Sequence, residues 1–193
     1  MTQSRCDRCS TTGPAHDFVS AGSDGTWRVL CIRCFNTEMA QFADLHGFEH
    51  PSFTPLRLRD VDDNHHEFHF CGLLLGDQLS LEAFELAGDD EAAGYRFQIL
   101  GEADAEPSAL LGQLIQKMKR ALALKHLQAD AGRLQIANTT VRGRVEWNGD
   151  ENARQPCTII DGQRIKWNDL GAMLLAFEGW QFRLEMLDPS DEA

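Results

Sequence analysis

Six cysteines mark this 193-residue chain, and four of them form two matched pairs near its start. These are Cys6-x2-Cys9 and Cys31-x2-Cys34, with 21 residues between the pairs. Each short loop can present two thiolates from one tight turn, so two loops supply the four ligands of a tetrahedral Zn2+. A redox pair would sit in one C-x-x-C beside a strand–helix–strand unit, and an iron site would draw on the same thiols. The doubled spacing favours zinc over both. Four thiolates also close the metal shell and leave no position for water. One structural ion held by Cys6, Cys9, Cys31 and Cys34 is therefore expected, and not a catalytic one. Cys71 and Cys157 are left over and read as small buried hydrophobes.

Outside these pairs the densest group of reactive side chains is His65-His66-Glu67-Phe68-His69-Phe70-Cys71. On a strand, His65, Glu67, His69 and Cys71 share one face, so His69 and Cys71 could reach one metal ion with Glu67 assisting. The same alternation is what a strand facing water on one side shows, and that is the plainer reading. The spacing is not the H-E-x-x-H of a helical metalloprotease. Asp60-x-Asp62-Asp63-Asn64 resembles the start of a calcium loop, but His65 stands where Gly is needed and Cys71 where Glu is needed, so it reads as a turn. No phosphate-binding glycine loop and no G-x-S-x-G occurs, and no local context pairs a nucleophile with a base. No catalytic residue is assigned.

The elements that must position these groups can be read from periodicity. Phe18-Val19 and 26–30 read as strands around a turn at 22–25, the second delivering Cys31. After Cys34, the apolar residues Phe35, Met39, Phe42 and Leu45 mark a helical stripe ending near Gly47. A linker at 50–55 leads to strands at 56–60, 67–71, 79–86 and 95–100, the last two separated by a polar turn at 88–91. The longest helix is expected from Pro107 to about 129, carrying Leu111, Leu114, Ile115, Met118, Leu122 and Leu127 and stopping by Gly132. A strand at 141–147 and a hairpin over 157–160 and 164–167 follow, the hairpin turning at Asp161-Gly162. Asn168 is placed to cap a helix carrying Leu170, Met173, Leu174 and Phe177, ending at Gly179. Trp180, Phe182, Leu184 and Met186 alternate with Gln181, Arg183 and Glu185 as a last strand, and the acidic residues from Asp188 form a solvated tail. The aromatics Phe84, Tyr95, Phe97, Trp147, Trp167, Phe177, Trp180 and Phe182 fall on faces expected to be core.

A knuckle, a hairpin and a second knuckle opening a helix resemble the treble-clef zinc finger over residues 4–46. The resemblance implies a fold and not a task, since treble clefs serve protein binding, nucleic-acid binding and structure alike. The fold class expected is α+β: a treble-clef-like zinc module at 1–50, then an α+β domain at 51–193. That domain is a largely antiparallel sheet with two packing helices, divisible into blocks at 56–130 and 133–187.

The formal net charge is −12. Residues 1–50 hold four arginines against six acids, and residues 51–193 hold 14 bases against 24 acids. Neither part has the basic excess that phosphate contacts need, so duplex DNA is not expected as a partner. Lys117, Lys119, Arg120 and Lys125 make the long helix the one locally basic element, and the helix dipole accounts for them. No apolar run approaches the ~20 residues that span a bilayer, and reduced thiolates suit the cytoplasm. The chain reads as a cytoplasmic zinc-binding protein that works without catalysis, as an adaptor or regulatory module contacting another protein. Alternatives are an acidic inhibitor of a basic protein (an antitoxin, immunity protein or DNA mimic), a nucleic-acid binder acting through the zinc module, and a hydrolase using the His65–Cys71 strand.

Overall fold

The computed structural model describes residues 3–23, 25–86, 93–147 and 155–191. The turn expected at 88–91 and the last two residues of the acidic tail lie outside them. Two hairpins come first, β1 (Gln3–Arg5) with β2 (Thr12–Pro14) and β3 (Phe18–Ser23) with β4 (Thr26–Cys31). Helix α1 (Ile32–Phe42) begins at the residue after β4 ends. Its buried side chains are Ile32, Asn36 and Ala40, spaced four apart. The expected stripe on Phe35, Met39, Phe42 and Leu45 is thus displaced round the helix, and Phe42 is 86% exposed. The helix also closes at Ala43, before Gly47, with Asp44 in the left-handed region at φ 54°.

Strands β5 (Leu56–Arg59), β6 (His65–Leu75), β7 (Gln78–Glu85) and β8 (Arg96–Glu102) form an antiparallel sheet in sequence order. Helix α2 (Pro107–Leu122) lies across one face. Leu110, Leu114, Met118 and Leu122 recur every fourth residue and pack on Phe68, Leu79, Leu81, Ala83 and Ile99, which is the main core. The helix starts where the Glu106 carboxylate accepts the Ala109 N–H at 3.1 Å and Pro107 takes a first-turn position at which lacking an N–H forfeits no helical bond. A Cβ on Gly101 would come 2.4 Å from Leu110 Cδ2, so only glycine lets the helix approach β8 this closely.

Helix α2 ends at Leu122, short of the expected 129. Leu127 instead opens β9 (Leu127–Asp130), which pairs with β10 (Arg133–Ile136) through a turn with Ala131 at φ 46° and Gly132 at φ 78°. The glycine read as a helix stop is therefore a hairpin turn, and the division drawn between 130 and 133 falls inside that hairpin. A three-stranded antiparallel sheet follows, β11 (Arg144–Glu146), β12 (Cys157–Ile160) and β13 (Gln163–Lys166). Asp161 and Gly162, at φ 49° and 73°, make the expected tight turn. Helix α3 (Trp167–Leu174) starts one residue before the expected cap Asn168, on Lys166 and with no side-chain cap, and runs into a 3-10 turn at Leu175–Phe177. A small second core gathers Leu127, Ile160 and Ile165 with Leu170 and Met173.

Two further expectations fail in this last block. Residues 180–187 form no strand. Several aromatics expected inside are also exposed: Trp147 62%, Trp167 45%, Trp180 65% and Phe182 90%. The fold is mixed α+β, every strand pairing among the described residues is antiparallel, and no helix among them is long and apolar enough to cross a membrane.

Candidate metal centre

The sulfurs of Cys6, Cys9, Cys31 and Cys34 all lie within 4.8 Å of one another. The Cys9 and Cys31 sulfurs are 3.7 Å apart. A tetrahedral ion with Zn–S distances near ~2.3 Å needs sulfur separations of roughly 3.8 Å, so the donors present fit one such ion. Among the described residues this is the group whose donors converge in this way.

Backbone geometry brings the first pair together. β1 ends at Arg5, and the chain turns so that Ser10 N–H donates to Cys6 O at 2.9 Å, with Ser10 at φ 63°. Cys9 N–H points at Cys6 Sγ, 3.5 Å away. Asp7 ties this knuckle to β4 twice, its N–H donating to Val29 O at 2.8 Å and its carboxylate accepting Val29 N–H at 2.7 Å. The second pair straddles a strand end and a helix start. Cys31 is the last residue of β4 and caps α1, and Cys34 lies in the first helical turn. The Cys34 N–H at this helix start is directed to the Cys31 sulfur and favours its thiolate, though burial outweighs it.

The thiols differ in acidity. Burial opposes ionisation of Cys6, but N–H groups of Cys31, Cys9 and Arg8 outweigh it and lower this thiol to about 6. Cys9 is lowered chiefly by Thr11, whose hydroxyl lies 3.3 Å from the sulfur. Burial pushes Cys31 up, and burial with the neighbouring thiols pushes Cys34 up to about 12. Four sulfurs this close cannot all carry charge unaided, and a divalent cation is what would let them.

Asn36 joins this module to the sheet, and periodicity alone did not single it out. β5 pairs with β6 only from His65 to Phe68, so the next part of the β6 edge has no strand beside it among the described residues. Asn36, fully buried, takes that place: Oδ1 accepts Leu74 N–H at 2.9 Å and Nδ2 donates to Gly72 O at 2.8 Å. Its second N–H then faces His50 Nδ1 at 2.9 Å, which must accept. The His50 imidazole is therefore held neutral, with its proton on Nε2, and burial followed by Arg33 lowers its pKa. A polar residue midway along the buried face of α1 was the available signal.

The other candidate residues are scattered or already engaged. His65 is exposed, while His69 stacks on Phe84 at a centroid distance of 6.0 Å and lies 5.8 Å from the His16 ring. His69, Cys71 and His16 line a cleft of about 600 Å3 between the cysteine module and the sheet, alongside Cys31, Arg33 and His50. Burial, then Glu82 and Asp17, pushes the Cys71 thiol up to about 12, so it stays protonated at neutral pH. The Asp60 carboxylate accepts N–H bonds from Asp62 and Asn64, both at 2.9 Å, which makes the aspartate run a turn. The basic run on the long helix is broken up. Lys117 is buried and donates to Gln98 O at 3.0 Å and Pro189 O at 2.6 Å. Lys125 lies beyond the helix and pairs with Asp60 at 2.9 Å and Asp62 at 3.3 Å.

Three consecutive stretches of the chain are each similar to a different domain family. Residues 5–46 match the Domain of unknown function (DUF7685), residues 49–123 the Domain of unknown function (DUF7686), and residues 126–191 the Domain of unknown function (DUF7713). The first stretch holds all four clustered cysteines, the second the sheet with α2, and the third the small sheet with α3. None of the curated proteins and none of the solved structures compared matches the chain.

Proposed function

We propose that this protein is a non-enzymatic interaction module, an adaptor or regulator in the reducing cytoplasm. In this reading a treble-clef-like unit with one structural zinc is docked on the antiparallel sheet, and the C-terminal block meets other protein chains. Zinc is the ion of choice because four thiolates in a closed shell suit it and leave no site for chemistry. The observation that carries the reading is the distribution of exposed apolar side chains. Of the 16 large hydrophobics exposed among the described residues, ten lie between Val145 and Leu187. Scattered apolar residues are ordinary on a surface, whereas a concentration of them marks a contact region.

A test is cross-linking with mass spectrometry of the full zinc-loaded chain in extract of its native cell. Cross-links should concentrate between Trp147 and Leu187 and disappear in a Trp180→Ser, Phe182→Ser variant. Contacts that survive in the variant and vanish on zinc chelation would move the contact surface to the cysteine module and overturn the reading.

An acidic inhibitor of a basic protein is the second reading, favoured by residues 167–191, which carry five acids against Arg183 alone. Association by that route weakens steeply with salt, whereas apolar contact does not.

A further inference from the structure

Residues 180–187 have the pattern of a strand and, among the described residues, no strand beside them. Trp180, Phe182, Leu184 and Met186 alternate with Gln181, Arg183 and Glu185, and the four apolar residues are 65%, 90%, 70% and 74% exposed. Among the described residues, no backbone hydrogen bond links 181–187 to any strand. The segment is nevertheless held at both ends. At its start Trp180 N–H donates to Phe177 O at 2.9 Å, and the two rings meet edge to face at 5.6 Å. Beyond its end the buried Lys117 ammonium donates to Pro189 O at 2.6 Å. The ordering cost of the extended conformation is thus partly met before any partner arrives.

Resting on the interaction reading above, we propose that the partner of this segment is a second copy of the chain, with the two segments forming an antiparallel β pair centred on Leu184. The central residues, 182 to 186, are self-complementary in that register. With Leu184 on the two-fold axis, Arg183 faces Glu185 of the second copy, Phe182 faces its Met186, and Gln181 faces its Leu187. Both charges then meet an opposite charge across the strands, while like charges directly opposite are avoided. Arg183 already pairs with Glu185 within one chain, which places the two on one side of the extended segment. Exposed apolar area is available as well. Trp180, Phe182, Leu184 and Met186, with Trp167, Leu174 and Leu175 of the preceding helix, leave exposed an apolar area of the same order as the ~800 Å2 per partner that a standard interface buries.

The test is sedimentation velocity of the full, zinc-loaded chain from low to high micromolar concentration, with charge swaps that read the register. Wild type should pass from one chain to two as concentration rises. Leu184→Arg, which sets two cations together on the axis, should weaken dimerisation by well over tenfold without altering the monomer, because the side chain is already exposed. Arg183→Glu and Glu185→Arg should each weaken it roughly tenfold by facing like charges, and the two together should restore it. A monomer at every concentration overturns the proposal, as does a dimer indifferent to Leu184→Arg. A dimer lost in the single swaps and not recovered in the double swap overturns the strand pairing. If the chain stays monomeric while cross-links to other proteins still depend on Trp180 and Phe182, the interaction reading stands and this inference alone fails.

Discussion

Strand β7 and the segment at 180–187 carry the same kind of pattern and meet opposite fates. In β7, Leu79, Leu81 and Ala83 alternate with other residues and are 2%, 1% and 0% exposed. In the segment, Trp180, Phe182, Leu184 and Met186 alternate as regularly and lie almost wholly in solvent. β7 has β6 on one side, β8 on the other, and α2 over its apolar face. Among the described residues the segment has none of these. Alternation therefore marks a stretch that can be a strand, and burial depends on whether other elements supply an edge and a cover.

The largest effect that would sharpen this contrast is metal removal. The cysteine module is too small to bury a sufficient core alone, and structural zinc in such units contributes on the order of 10 kcal/mol. Chelation, or Cys6→Ser with Cys31→Ser, should release α1 and withdraw Asn36 from the β6 edge while β7 keeps its neighbours. Hydrogen exchange checks it: amides of α1 should lose protection and those of β7 retain it. Loss of β7 protection in step would show that module and sheet share one cooperative core.

A smaller effect compares the two apolar surfaces directly. Leu114→Ala empties a fully buried position and should cost about 2–5 kcal/mol by urea denaturation. Phe182→Ala, at a position 90% exposed, should stay within about 0.5 kcal/mol in the dilute, monomeric protein. Equal costs would mean that the segment is packed after all.

The smallest effects lie where module meets sheet. Asn36→Ala leaves Gly72 O and Leu74 N–H without their partner and should cost about 1–3 kcal/mol. The adjoining His50 gives a pH dependence of known sign. Its Nδ1 accepts a hydrogen bond only when deprotonated, and its folded pKa lies below that of the unfolded chain. The stability it contributes is therefore full above the unfolded value of about 6.5 and is lost as pH falls through the folded value. Denaturation curves at falling pH should show this loss in the wild type and less of it in His50→Gln. An identical pH profile in the two would remove His50 from the contact.

Sequence by itself determined what short range and composition control. The two cysteine pairs were legible because two knuckles at matched spacing have few other uses. The Asp161-Gly162 hairpin was legible because a two-residue turn with positive φ restricts its residues. The strands of the main sheet were legible through alternation, since the side-chain period of a strand is local geometry. Only the tertiary structure decided the rest. Asn36 gained its role because β5 stops pairing after Phe68 and leaves an edge that a side-chain amide can complete. Lys117 left the basic run because Pro189, 72 residues away, comes back to it. Leu127 fell to a strand and not to the helix because Arg133–Ile136 was available to pair with it. Residues 180–187 stayed uncovered because, among the described residues, no strand lies alongside them. In each case the outcome rests on a partner remote in sequence, and no local period carries that information.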